Sequence, residues 1–197
     1  MAQVIRVNPA SVRAYGIRAD EEFQSIRSQM QALVDDVVNV NYQGPNAHAI
    51  KTQCGQMASD FTTKLSSDVT AIVGAVQKAT SDISASLGGA PLTINVNTAP
   101  ITPPSVPAPP EFVQVDTSAL TALTGTVTSH MTAIDSALDD HLSALESTDW
   151  TGNAKDEAVS AVSQFTSAAK SQTQASQSQI NSYLNAQAEA ATKSDTL

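Results

Sequence analysis

The sequence predicts an all-α fold: a four-helix bundle made of two antiparallel helical hairpins joined by a Pro-rich linker. Three observations carry that prediction. Apolar residues recur at alternating steps of three and four in both halves of the chain, which is the pattern of a helical seam. Seven of the nine prolines fall between Pro91 and Pro110, where no helix survives. Two aromatic-x-Gly tripeptides, Tyr42-Gln43-Gly44 and Trp150-Thr151-Gly152, interrupt the seams 108 residues apart.

The first hairpin occupies residues 1–88. Asn8 is suited to cap a helix whose first position is Pro9. Its seam runs Ala19, Phe23, Ile26, Met30, Leu33, Val37 and Val40. The pattern stops at Asn41-Tyr42-Gln43-Gly44-Pro45, where Gly44 breaks the helix and Pro45 opens the next. A second seam follows through Ile50, Cys54, Met57, Phe61, Leu65, Ile72, Val76, Ala79 and Ile83, and ends near Leu87-Gly88.

Residues 89–115 form the linker. Its prolines predict an extended, fairly stiff polyproline II segment. A plain connector accounts for it; a docking site for a proline-reading domain is the sharper alternative.

The second hairpin, residues 116–197, repeats the plan. Asp116 or Ser118 caps a helix carrying Leu120, Leu123, Val127, Met131, Ile134, Leu138, Leu142 and Leu145. The turn is Asp149-Trp150-Thr151-Gly152-Asn153. The last helix carries Ala154, Ala158, Val162, Phe165 and Ala169, then a polar run from Ser171 to Gln179, then Ile180, Tyr183 and Leu184. The common spacing of caps and turns marks an internal duplication. Helices near 40 residues far exceed the mean of about 11–12. They need a partner face, which each hairpin gives the other.

Composition narrows the function. The 197 residues hold 10 basic and 19 acidic side chains, a net charge of -9. That opposes binding to nucleic acid or to an anionic membrane surface. No run of 18 apolar residues occurs, so no membrane span is expected. The N-terminus shows no apolar signal-peptide core. Aromatic residues make up only 4%, too few for an aromatic-rich enzyme core. Residues 116–197 carry 10 acids against 3 bases, whereas residues 1–88 carry 8 against 7. This asymmetry suits a solvated face, or a preference of the two hairpins for each other over self-pairing.

No catalytic, cofactor-binding or metal-binding set emerges. His130 and His141 share a helix but stand about 16 Å apart along it, too far for one metal. Both are expected to be solvated or to flank the seam, as is His48. Cys54 sits on a seam as a small hydrophobe, with His48 on another face. Asp35-Asp36 and Asp139-Asp140 have no spacing that singles them out as paired catalytic carboxylates. An enzyme is therefore not expected.

A hairpin of about 100 residues with Trp-x-Gly at its turn resembles the WXG family, the early-secreted-antigen-like substrates of type VII (ESX-like) secretion. Trp150-Thr151-Gly152 is the literal motif, and Tyr42-Gln43-Gly44 is an aromatic variant. Val7-Asn8-Pro9-Ala10-Ser11-Val12-Arg13 is also similar to family N-termini. The resemblance spans both flanks and omits the linker. It implies two partners fused in tandem, a monomeric pseudo-dimer with its hairpins docked antiparallel. The linker allows this: about 28 residues at 3.1 Å each outreach a helix of about 63 Å.

The resemblance also implies a recognition site. The turn motif would be Tyr42, Gly44, Trp150 and Gly152. The family's C-terminal Tyr-x-x-x-Asp/Glu signal falls at Tyr183, but Gln187 stands where the acid belongs; Glu189 is the nearest acid. Trp150 is expected either to staple the turn, with its indole N–H satisfied, or to form a partly exposed recognition surface. The implied partners are the secretion ATPase and export machinery, with a co-secreted effector as a further one. The implied location is cytoplasmic before export, then secreted or at the cell surface by a signal-peptide-independent route. The alternative is a helical chaperone or adaptor escorting a larger effector on a spare apolar stripe at Val34, Val38, Val69 and Val73.

Overall fold

The structure is a computed structural model that describes residues 4–195. It is an all-α four-helix bundle. In chain order the elements are β1 (Arg6–Val7), α1 (Pro9–Asn39), β2 (Tyr42–Gln43), α2 (Pro45–Ser86), β3 (Gln114–Val115), α3 (Thr117–Glu146), β4 (Trp150–Thr151) and α4 (Asn153–Ser194). The first helix of each hairpin begins where its cap dictates. Asn8 Oδ1 accepts from the amides of Ala10 and Ser11, and Asp116 Oδ1 from that of Ala119. Around the bundle the order is α1, α2, α4, α3.

The two hairpins dock antiparallel, fixed by two short ribbons. β1 pairs with β4, placing Val7 opposite Trp150, and β2 pairs with β3, placing Tyr42 opposite Val115. Adding 108 to the numbers of β1 gives β3, and adding 108 to those of β2 gives β4, so exchanging the halves turns one ribbon into the other. The flanking hydrogen bonds obey the same rule: Asn8 N donates to Asp149 O at 2.8 Å, and Asp116 N donates to Asn41 O at 3.1 Å. The bundle is thus a pseudo-twofold dimer within one chain. Each turn is tied to the segment just ahead of the other hairpin's first helix.

The core follows the predicted seams on α1 and α3, with Phe23, Ile26, Met30, Leu33, Leu120, Met131, Ile134 and Leu138 all buried. Three expectations change. On α2 the buried face drifts from Leu65 to Val69, Val73, Val76, Thr80 and Ser84, and leaves Ile72, Ala79 and Ile83 only partly covered. Val34, Val69 and Val73 are buried and Val38 is partly buried against the core, so no spare apolar stripe exists at those positions. His141 is not solvated. It is fully buried, enclosed by Tyr15 and Phe23 of α1 and Phe165 of α4.

The linker is more than a connector. It is extended, as its prolines require, but it lies as a strap along the first hairpin. Leu92 and Ile94 are buried in the core, and Val96 and Ile101 pack against it. From Leu92 on Ser81 to Pro107 on His48, 15 residue steps of the linker span 33 residue steps of α2. That is about 50 Å of helix, or about 3.3 Å per linker residue, close to full extension. The strap explains the drift of the α2 seam: α2 is shielded on a second flank that no helix reaches.

Candidate recognition site

The two turns are built alike. Gly44 (φ 118, ψ -179) and Gly152 (φ 122, ψ 169) immediately precede α2 and α4. Both occupy a backbone region open essentially to glycine alone. The glycine also admits its neighbour: a Cβ on Gly44 would lie 3.3 Å from Val113 Cγ1.

The ends differ in what covers the aromatic residue. Trp150 is 1% exposed, and its indole Nε1 is buried without a hydrogen-bond partner. It staples its turn, but the indole N–H is not satisfied, and the side chain offers no surface to a partner while the bundle is folded. At the other end Tyr42 is also buried, yet its hydroxyl reaches the C-terminal helix and donates to Gln187 Oε1 at 2.8 Å. Asn46 Nδ2 donates to the same oxygen at 3.4 Å. Tyr183, one turn earlier on α4, donates to the Asn46 carbonyl at 2.9 Å. Burial, and next the adjacent Tyr183, push the Tyr42 phenol above its usual range.

Four predicted site residues therefore meet at one place: Tyr42, Gly44, Tyr183 and Gln187. Trp150 and Gly152 lie at the opposite end. Gln187, through Oε1, is the shared acceptor of this cluster. Glu189 points elsewhere, 3.5 Å from Lys193 on the exposed side of α4. Beside the cluster runs a groove of about 390 Å³, walled by Tyr42, Gly44, Val113 and Gln187 and closed by Ala190 and Ala191. Val113 in its wall is 74% exposed, and the preceding Phe112 is 55% exposed.

Sequence reasoning missed Phe112 and Val113, which end the linker. The 108-residue offset was the available signal, because it maps them onto Val4 and Ile5, also exposed beside the opposite turn.

The remaining titratable candidates are buried or engaged in hydrogen bonds. Cys54 is buried, and burial pushes its thiol up to about 12. His130 bridges the hairpins, with Nδ1 2.7 Å from Gln29 Oε1 and Nε2 2.9 Å from Asp36 Oδ2. His48 Nδ1 holds the Pro107 carbonyl at 2.9 Å. No helix among the described residues is long and apolar enough to cross a membrane. No family model matches the chain, and neither a curated protein nor a solved structure matches it.

Proposed function

We propose that the chain is a secreted substrate or structural component of a type VII (ESX-like) secretion system, a tandem WXG protein that serves as its own pseudo-heterodimer. The observation that carries the reading is the junction of Tyr42 with Gln187 and of Tyr183 with Asn46. A turn from one hairpin and the C-terminal helix of the other make one composite surface beside an open groove. The secretion ATPase is the partner this reading assigns to that surface. Recognition belongs to the Tyr42 end, because at the other end Trp150 itself is buried.

Export tests it. A tag placed between Ala108 and Pro109, where the linker is exposed, leaves the helices untouched. The expected result is ATPase-dependent appearance in the culture filtrate of a host with a type VII system. Tyr183→Ala should abolish it, and Gln187→Glu should preserve it, since a carboxylate accepts the Tyr42 hydrogen bond at least as well. Retention in the cell, or appearance without the ATPase, would overturn the reading. The escort alternative has lost the apolar stripe on which it rested.

A further inference from the structure

We propose that the Trp150 pole of the bundle is an acid-operated gate: a proton on His141 lets β1 and the first three turns or so of α1 swing off the second hairpin and uncover Trp150, while the Tyr42 pole stays shut. The gate does not rest on the export reading.

The seat of His141 carries the inference. The ring lies on α3, close to the end of that helix at Glu146, and is enclosed by Tyr15 and Phe23 of α1 and Phe165 of α4. Its one hydrogen bond joins Nε2 to the Tyr15 hydroxyl, and Nδ1 is buried with no partner. A second proton puts an N–H on both nitrogens. The Tyr15 oxygen accepts one, and nothing accepts the other. The surrounding charges stand outside the enclosure. On α1 and α3, Arg18 and Asp140 line a surface pocket beside Tyr15, Glu22 lies near Asp140, and Asp139 holds Lys170 of α4. Between Glu157 and Lys170, α4 has no charged residue. On α2, Lys64 and Asp68 lie across Phe165 and pair with each other. A charged ring is thus buried and unpaired, and opening on the α1 side restores its water.

The segment that leaves is lightly fastened. β1 makes a ribbon of two residues, and the ties around it converge on Asp149. The Asp149 carbonyl accepts from the Asn8 amide, its carboxylate accepts from Arg6 and Asn8 Nδ2, and its own amide donates to Ser11 Oγ. From Pro9 to Ala19 only Val12, Tyr15, Gly16 and Ala19 are buried.

The other pole has no such trigger. Under the 108-residue offset, Leu33 and Leu123 replace His141 and Tyr15, and both are buried. The closures there, Tyr42 to Gln187 and Tyr183 to Asn46, join phenols to amide oxygens, which acid does not ionise. A protonated His130 also gains a charged partner in Asp36, in the last turn of α1. A ring whose pKa falls from 6.5 to about 4 on burial favours the open form about 20-fold more at pH 5 than at pH 7.

Hydrogen exchange on the full chain at pH 7 and pH 5, divided by the intrinsic rate at each pH, tests the gate. The Asn8 and Asp116 amides are equivalent, each crossing between hairpins at its own pole. Protection of the Asn8 amide and of the Trp150 indole N–H should fall about 20-fold at pH 5, and that of Asp116 should hold. Tyr15→Leu with His141→Leu copies the opposite pole and should abolish the difference. His141→Gln, which cannot titrate but still bonds the Tyr15 hydroxyl, should do the same and decides the matter if the double variant does not fold. Equal loss at both poles would mean that acid loosens the whole bundle, and would overturn the proposal. So would no loss at either pole, or a loss that survives in the variants, which would pass the effect to another group such as Asp149.

Discussion

The Tyr15 hydroxyl of α1 lies 2.9 Å from Nε2 of His141 on α3, fully inside the bundle, while His141 Nδ1 has no partner. The ring is held neutral by its surroundings: burial lowers its pKa from 6.5 to about 4. The unfolded chain therefore binds the proton more readily than the folded one. Stability is complete above pH 6.5 and is lost as pH falls toward 4. Between pH 7 and pH 5 the loss from this residue should be about 2 kcal/mol. Urea unfolding at the two pH values measures it. His141→Phe should remove that part of the pH dependence, and an unchanged slope would assign it to other groups.

Trp150 should report on stability before it reports on recognition. Trp150→Ala empties a fully buried site and should cost about 3–5 kcal/mol. Trp150→Phe removes the unpartnered indole N–H along with some volume, and should cost much less. Denaturant midpoints separate the two. If Trp150→Ala proved nearly neutral, the side chain would have to be more exposed than described.

Gly44→Ala and Gly152→Ala should each cost about 1–3 kcal/mol, because the backbone at both positions is open essentially to glycine alone. Gly125→Ala provides the contrast. It lies within α3 with nothing near its missing Cβ, and should stabilise by up to about 1 kcal/mol. Thermal melts of the three variants settle the order.

Gly16 and Ile94 should be coupled with a change of sign. In wild type, Gly16→Ala forces Ile94 out of its seat and should destabilise. In an Ile94→Ala background the clash is gone, and the same change should stabilise through helix propensity. A double-mutant cycle with no coupling would mean that the strap shifts freely.

Much of this architecture was readable beforehand, and the parts that were not have a common cause. Asn8, Asp116 and the two glycine turns act through short-range geometry, which a sequence states directly. The seams of α1 and α3 face other helices, so period alone locates them. The strap is different. Leu92, Ile94 and Val96 alternate as in a strand, but they sit next to prolines that signal a connector. The matching signs, Gly16 and Gly55 on the outward faces of helices, gain meaning only once something is known to lie on them. The α2 register failed for the same reason, since its second buried flank is made by the strap. His141 was misplaced because a polar side chain on a seam reads as a boundary residue. Its seat depends on Tyr15, 126 residues away. At the candidate site the Tyr42–Tyr183 proximity followed from antiparallel docking, whereas the use of Gln187 as acceptor required the coordinates.

The pseudo-twofold has a consequence for how such a molecule can change. In a dimer of identical chains every substitution appears twice, and both ends must tolerate it. Here the two copies of each position are inherited separately. His141 occupies the place that Leu33 holds in the other half, and Trp150 the place of Tyr42. One pole can be locked shut for rigidity while the other drifts toward a partner, and neither alteration is echoed across the axis. Joining the halves converts a symmetric body into one with a front and a back.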